Sequence, residues 1–538
     1  MLVSLRAGVV HGALMNLVHH FWNQLAQDSD RPLFEHLVPS GEVTWRQTRG
    51  ALLTEASLWM AALRGAGIRP GDRVALSLGK ATGLVTAHLA ILGVGAGVVP
   101  LNPALSAVET EAVLKQAEVK LAITTPSTVN RSPEIINAVN GPWWVATPAE
   151  EPDDVPPHTV ALAKVLAGYQ PGDEPYIGPD DAVALLLFTS GTTGQPKGVG
   201  LTHHNIAANL QALLVDTWKM SAEDRLLHAL PPHHLHGLGL GLYGTLYVGN
   251  AAVLLDRFDP VVVLTALAQH RISVFMGVPT MYHRMTERMA ELAGDLSYAS
   301  MRVFISGSAP LSPETFRRFE EQSGFRIVER YGLTETAINT SNPLDGERRP
   351  GTVGPALPGV EVGVFDPHTK QPLSPEETGE IWVRGPNVFS GYWNNPEATA
   401  AAFCDDWFRT GDLGVLSADS YLSINGRMKE LIIVGGTNVT PGEVEAVLET
   451  QAGVRECAVA GVPDADLGEK VAAFIVPQSD RDATTLEDQL RQRAEQDLAP
   501  YKRPRLYRFL AEIPRNSMGK IERNKLKDLG VEAPKPKE

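Results

Sequence analysis

Cysteine is nearly absent. Only Cys404 and Cys457 occur in 538 residues, too few for a disulfide framework or a cysteine-ligated metal cluster, and the expectation is a reducing compartment. Long apolar runs are also scarce. The longest uncharged stretch, residues 237–255, contains Gly237, Gly239, Gly241, Gly244, Gly249 and Asn250, and reads as buried strand and helix pieces broken by turns rather than a membrane span. A formal GxGxxG at Gly239, Gly241 and Gly244 follows PPHHLH instead of a strand, so it is not read as a dinucleotide site. Positive charge is in deficit: 47 Lys and Arg stand against 62 Asp and Glu, a net charge of −15. That balance disfavours nucleic acid and anionic membrane as partners. Residues 1–14 carry one charge, Arg6, and no small-residue cleavage pattern, so no targeting segment is read there, and Met15 is an alternative start. The expected location is cytoplasmic, as a monomer or weak homo-oligomer.

What is present is an ordinary globular composition, 43% hydrophobic and 20% charged, and a length that allows two to four domains at roughly 150 residues each. Short β-rich runs at residues 73–78, 182–188, 272–276 and 301–305 alternate with longer stretches of helical period, the pattern of layered α/β structure. Residues 146–182 turn acidic and rich in Pro and Gly, and read as a surface excursion between subdomains. From Gly379 the strands shorten, and GEIWVR alternates cleanly. The expected fold is α/β: a large N-terminal domain, residues 1–426, of layered α/β subdomains with a small β-barrel-like unit at about 345–425, then a small α+β C-terminal domain, residues 427–538. Thr440-Pro441-Gly442-Glu443 predicts a capping box opening a helix in that last domain. A second helix starts at Thr484-x-x-Glu487, with Leu486, Leu490, Ala494 and Leu498 on one face.

After the run ending at Phe188 comes TSGTTGQPKG at residues 189–198, the segment most loaded with glycine, hydroxyl and lysine in the chain. Glycines let backbone N–H groups converge on an anion, the hydroxyls of Thr189, Ser190, Thr192 and Thr193 donate further bonds, and Lys197 brings a mobile charge. The spacing is not that of a Walker A loop. Polyphosphate binding, with Gly191 and Gly194 in the loop, is the reading.

Further motifs stand in order along the chain: SGSAPL at 306–311, ERYGLTET at 329–336, TGDLG at 410–414, GRMKELIIVGG at 426–436 and PRNSMGK at 514–520. Together with the loop they resemble the adenylate-forming superfamily, the acyl-CoA synthetases and their adenylation-domain and luciferase relatives, over almost the whole chain. The resemblance implies ATP, Mg²⁺ and CoA, with an acyl-adenylate formed first and a thioester second. It places Tyr331 on adenine, Thr334 at the α-phosphate, Glu335 and Thr189 at Mg²⁺, and Asp412 with Arg427 at the ribose. Gly307, Ser308, Ala309, Glu329 and Gly332 line the nucleotide site in the same reading. Lys520 matches the catalytic lysine, inside residues 501–530, which hold nine Lys and Arg against three Asp and Glu. That local excess of base in an acidic chain favours an anionic ligand. Lys429 matches the hinge of a mobile C-terminal domain, and Gly435 and Gly436 the edge of the CoA tunnel.

For the acid, ALPPHHLHGLGL at 229–240 stands where relatives line the acyl pocket, placing His234 and His236, with Ser306, at the substrate. Arg284 in GVPTMYHRMTERM lies on a helical segment whose Met281, Met285 and Met289 face the core. Its ordinary alternative is an exposed pair with Glu287 at i,i+3. The sharper reading is a fork onto a second substrate carboxylate, hence a short dicarboxylate. Residues 329–360 are similar to malonyl-CoA synthetases in ERYGxTETxxNTSNPxDGxRxPGxVGPALPGV, with Leu333 standing where several of them carry Met. Malonate is therefore expected, with methylmalonate or another short or medium acid as alternatives, and a non-catalytic nucleotide- or CoA-binding sensor as the reading from a different class.

Overall fold

The structure, a computed structural model, describes residues 16–80, 83–147, 155–172, 174–189, 196–291, 297–464, 466–478, 483–516 and 519–531. The phosphate-loop candidates Ser190, Gly191, Thr192, Thr193 and Gly194 lie outside these. The chain forms two compact units: Met1–Phe275 with Thr334–Ile338 and Gly385–Ala401, and Met276–Leu333 with Asn339–Arg384 and Ala402–Glu538.

In the first unit a seven-stranded sheet runs in the order Val160–Ala161, Trp143–Val145, Leu121–Thr124, Arg73–Leu76, Gly97–Pro100, Val183–Thr189, Lys197–Thr202. All neighbours are parallel except the last pair, an antiparallel hairpin that sets Thr189 opposite Lys197. Parallel strands covered on both faces read as continuous apolar runs, and LLLF within residues 183–189 is one. Ala75, Val99, Ala122, Trp143 and Leu186 fill one core on this sheet, each large side chain contributing about 1.5–3 kcal/mol by burial. The helix Leu84–Gly93 is buried along its whole length, which suits its uniformly apolar sequence.

A second set of strands in this unit places Ala251–Leu254 between Pro32–Leu37 and Arg225–His228, all parallel, with Val43–Thr48 antiparallel at the edge. The glycine-rich stretch 237–255 is buried helix and strand, as expected: a π-helix over His236–Tyr243 runs into Gly244–Val248, the chain turns at Gly249, φ 76°, and the strand Ala251–Leu254 follows. The glycines before Gly249 lie within the helix instead of breaking it. Its inner glycines serve packing. A Cβ at Gly241 would stand 2.3 Å from the His228 ring, and one at Gly237 2.2 Å from the Pro231 carbonyl oxygen, so tertiary contact overrides the local turn preference.

In the second unit Val303–Ser306 pairs in parallel with Val328–Leu333, setting Ser306 opposite Glu329. The helix Pro279–Glu291 is tied to this pair through the Tyr282 hydroxyl, which donates to the Ile305 carbonyl at 2.7 Å. Glu361–Phe365, Thr378–Arg384, Trp407–Leu416, Phe403–Cys404 and Leu422–Arg427 form an antiparallel five-stranded sheet. The last segment builds a second five-stranded sheet around Val454–Asp464 and Gly468–Pro477. Helices Pro441–Leu448 and Ala483–Asp497 cover one face, burying Leu448, Leu486, Leu490, Ala494 and Leu498, and Leu526 of Arg523–Val531 covers the other. The helix expected after Thr440 is there, with Pro441 in its first turn, but the capping box is not: the Thr440 side chain makes no cap bond. Glu443 pairs with Lys502 instead, a charge pair in place of a neutral cap. Thr484 likewise lies inside its helix rather than ahead of it.

Candidate active site

Antiparallel pairing of Trp407–Leu416 with Leu422–Arg427 sets Asp412 directly opposite Arg427, and the Arg427 Nε approaches Asp412 Oδ1 at 2.9 Å. The hydroxyl of Tyr331 donates to Oδ2 of the same carboxylate at 2.6 Å. A carboxylate has about four lone-pair sites, so Asp412 holds both groups and retains acceptor capacity. Burial, and after it Asp412, pushes the Tyr331 phenol well above its ordinary range, so the ring stays a neutral donor.

Lys520 enters the same neighbourhood from a hairpin. Its N–H donates to Asn516 Oδ1 at 3.0 Å, Asn516 N–H donates to the Lys520 carbonyl at 2.9 Å, and Gly519 N–H to the Asn516 carbonyl at 2.9 Å. Gly519, φ 73°, has the left-handed conformation that favours glycine, and a Cβ there would stand 2.9 Å from Thr280 Oγ1. Burial first, then Arg427, pull the Lys520 ammonium down to about 8, with Glu430 and Asp412 opposing and Lys429 adding to the fall. Lys429 itself is exposed in the 3₁₀ turn Met428–Glu430. That turn is tied to the C-terminal helix by Arg523, which bridges Glu430 at 3.0 Å and Glu445 at 2.6 Å. Gly435 and Gly436, φ 56° and 84°, are the two-residue turn between Ile432–Val434 and Thr437–Val439, where positive φ at both positions calls for glycine.

At the ends of the paired parallel strands, where ligands of α/β sheets collect, lie Ser306, Gly307, Ser308 and Ala309. Ser306 is fully buried, and its Oγ has no partner among the described residues. Ser308 is exposed at φ 75°, a left-handed conformation unusual for serine and found most at functional sites. Glu329 is buried, and burial pushes it up to about 8 against backbone hydrogen bonds from Gly351 and Leu311. Gly332 follows Tyr331 in the strand.

The first unit gathers Lys197, Glu335 and Tyr392. The Tyr392 hydroxyl donates to Glu335 Oε1 at 3.1 Å, and Lys197 Nζ stands 4.8 Å from the centre of the Tyr392 ring. Asn387 Nδ2 donates to the Thr336 carbonyl at 2.6 Å, Phe389 N–H to the Glu335 carbonyl at 2.9 Å, and Asn205 to the carbonyls of Pro386 and Val388. These bonds fix the turn that carries Thr334 and Glu335. Thr189 Oγ1 points to the Lys197 carbonyl at 3.5 Å. Glu335 is a half-buried carboxylate joined to Lys197 through Tyr392, and one carboxylate is a donor set that fits Mg²⁺ held mainly by phosphate oxygens, because such a hard cation takes few protein ligands. Tyr392 is absent from the sequence-level candidates. It reaches the site through a bridge with Val199, far away in sequence.

His233 and His234 lie ring to ring at 4.4 Å. Burial pulls His234 down to about 4 and, with His234 and Lys80, pulls His233 down to about 3, so both are neutral at physiological pH. His236 is buried. Among the described residues no group of three or more His, Cys, Asp or Glu is placed to hold a metal. On Pro279–Glu291, Met281, Met285 and Met289 are buried as expected, and Arg284 is on the exposed face. Glu287 faces His283 at 3.5 Å.

A family model for AMP-binding enzymes matches residues 21–393, and one for the AMP-binding enzyme C-terminal domain matches residues 443–520. The chain belongs to the AMP-binding enzyme family. This AMP-binding enzyme is 34% identical to a long-chain-fatty-acid–CoA ligase of Bacillus subtilis, over 88% of each chain. It is 35% identical to a malonate–CoA ligase of Arabidopsis thaliana, over 69% of this chain and 65% of that one. Among solved structures, ATP-bound MatB from Rhodopseudomonas palustris superposes with a TM-score of 0.86 at 37% identity, over 96% of this chain and 98% of the other. Among the described residues of the AMP-binding enzyme, no helix is long and apolar enough to cross a membrane.

Proposed function

We propose that the chain is an ATP-dependent acid–CoA ligase that converts malonate to malonyl-CoA with release of AMP and pyrophosphate. The observation that carries the reading is the meeting of Lys520 with Asp412, Arg427 and Tyr331 in one buried neighbourhood. A carboxylate oxygen of the acid attacks the α-phosphorus of ATP, the new P–O bond forms, and pyrophosphate leaves. Negative charge gathers at the attacked phosphorus, and a fixed lysine cation close by stabilises it. Thr334 supports the same α-phosphate, and Lys197, with the loop 189–194, holds the β- and γ-phosphates. Asp412 with Arg427 orients the ribose and Tyr331 the adenine, with Gly307, Ser308, Ala309, Glu329 and Gly332 around them. Mg²⁺, held at Glu335 with Thr189, supplies charge neutralisation on the phosphates when bound. The CoA thiol then attacks the acyl carbonyl, the C–S bond replaces the C–O bond to AMP, and the thiol proton leaves to solvent.

In that second step Lys429 is the hinge of the C-terminal domain, and Gly435 and Gly436 border the path of the pantetheine arm. Malonate is favoured over apolar acids by Arg284, an exposed guanidinium on the helix whose Met281, Met285 and Met289 are buried, and by the likeness to a malonate–CoA ligase. His234, His236 and Ser306 complete the acid site with neutral polar groups. The test is AMP release with ATP, Mg²⁺ and CoA, comparing malonate, methylmalonate and butyrate at equal concentration. Preference for the diacids supports the reading, and preference for butyrate overturns the choice of acid while keeping the adenylation chemistry.

A further inference from the structure

Lys80 is 3% exposed and follows the strand Arg73–Leu76 of the seven-stranded sheet. Its Nζ donates to the Leu255 carbonyl at 2.5 Å and to the His228 carbonyl at 3.2 Å. Both carbonyls stand at the ends of neighbouring parallel strands in the second set of the same unit: His228 ends Arg225–His228, and Leu255 directly follows Ala251–Leu254. One side chain thus cross-links three strand ends. Burying an ammonium is costly, and a methionine would cover the same carbon chain without that cost, so the two hydrogen bonds are what the lysine adds. Burial pulls the group down to about 7. Asp256 opposes that fall, and its own carboxylate is bound by His36 at 3.1 Å. A neutral amine keeps two N–H groups, one for each carbonyl, so the cross-link holds in either protonation state.

His228 is the base of the loop 229–236. The loop leaves from its backbone, and its buried ring closes the far end, where Nε2–H donates to the Gly237 carbonyl at 2.7 Å. Burial first, then Lys80, pull this imidazole down to about 3, so the ring is neutral with its proton on Nε2. It has little room to shift, for a Cβ at Gly241 would stand 2.3 Å from its Cδ2. The loop itself is tight: Leu238 N–H donates to the His234 carbonyl at 2.8 Å, and Gly237 packs on the Pro231 carbonyl. His233, His234 and His236 therefore take their places from His228, and His228 takes its place from Lys80. The charge reaches the loop as well, since after burial and His234 it is Lys80 that holds His233 neutral.

We infer that Lys80 is a positioning residue for the acid site, holding His228 and through it the loop that presents His234 and His236 to the acid. The inference rests on the acid-site reading above and deepens it. Both hydrogen bonds of Lys80 end on backbone, so it acts through the loop and not on the substrate. Lys520, Asp412, Arg427 and Tyr331 are held by bonds of their own, so loss of Lys80 disturbs the acid and spares the nucleotide. A shift of about 1 Å in a positioning group can cost roughly 10²-fold.

The experiment is pyrophosphate exchange by the full chain at varied acid and varied ATP, using whichever of malonate and butyrate the wild type turns over faster. The proteins are wild type, Lys80→Met, His228→Leu, the double variant and His234→Ala. Lys80→Met and His228→Leu should each raise KM for the acid at least tenfold and leave KM for ATP within twofold of wild type. The double variant should be no worse than the worse single one, because residues that act through one another are not additive. Acid and ATP KM moving together, or neither moving while the melting temperature falls, makes Lys80 a merely structural residue and overturns the inference. Additive losses in the double variant overturn it too, since Lys80 and His228 would then act separately. If His234→Ala leaves KM for the acid unchanged, the acid-site reading falls and Lys80 with it; if His234→Ala raises that KM and Lys80→Met does not, the reading stands and only Lys80 falls. Should Lys80→Met fail to fold, Lys80→Gln keeps N–H donors on an arm too short to span both carbonyls: a raised KM for the acid supports the inference, and an unchanged one overturns it.

Discussion

The Tyr331 hydroxyl donates to Asp412 Oδ2 at 2.6 Å while the Arg427 Nε meets Oδ1 at 2.9 Å, so one carboxylate fixes an aromatic ring and a guanidinium at once. Hydrogen bonds to charged groups contribute about 1.5–3 kcal/mol each. Asp412→Ala removes two of them and is expected to cost about 3 kcal/mol of stability and to raise the KM for ATP strongly. Tyr331→Phe removes one bond but keeps a ring for adenine, so it costs about 1.5 kcal/mol and raises KM for ATP less. Melting temperatures with pyrophosphate exchange at varied ATP check both, and a larger KM effect from Tyr331→Phe would remove Asp412 from the ribose role.

Lys520 is proposed to work as a cation, and burial with Arg427 brings it down to about 8. Pyrophosphate exchange should therefore decline as pH rises through about 8. Arginine stays protonated throughout, so Lys520→Arg, though slower, should lose that alkaline decline. Lys520→Ala should lose roughly 10²–10³ in rate at pH 7, the scale of one preorganised charge-stabilising donor. Since the folded value lies below the ordinary 10.5, the folded chain binds fewer protons than the unfolded one between about 8 and 10.5. The contribution of Lys520 to stability thus rises with pH across that window. An alkaline decline unchanged in Lys520→Arg would assign it to another group.

Local signals carried far where one short segment decided the outcome, as in the β-rich run ending at Phe188, which forms the strand Val183–Thr189, and the face shared by Leu486, Leu490 and Ala494. They failed where distant residues intervened. Glu443 finds Lys502 rather than its own helix terminus, and Gly237 and Gly241 make room for Pro231 and His228 rather than turning the chain. Tyr392 carries no pattern of its own and becomes part of the site only because its strand bridge and the Asn387 bonds bring residues 335 and 392 together. Arg330 sits inside a motif legible in the sequence, yet its burial depends on Gly307, just past the end of the neighbouring strand Val303–Ser306.

Lys429 is exposed in a short 3₁₀ turn whose neighbour Glu430 is bound to Arg523. Proline at 429 fixes φ near −65° and pushes Met428 out of the helical region, which restricts rotation about the turn while leaving the Lys520 hairpin untouched. Lys429→Pro should retain acyl-adenylate formation, read by pyrophosphate exchange, and lose thioester formation, read by CoA consumption. Equal loss of both would sink the hinge role.

Arg284 stands on the exposed face of Pro279–Glu291 while Met281, Met285 and Met289 are buried beneath it. Replacing it by methionine keeps length and helix preference and removes only the charge. A fork onto the second carboxylate, worth about 1.5–3 kcal/mol as a charged hydrogen bond, predicts a loss of roughly 10–100-fold in kcat/KM for malonate. Butyrate, with no second carboxylate to lose, should change little, so the malonate-to-butyrate ratio is the informative quantity. Because Arg284 is exposed, added salt should erode the wild-type preference and leave the variant nearly insensitive. Malonate turnover unchanged in Arg284→Met would return this side chain to the solvated surface and leave discrimination between acids to the buried wall of the site.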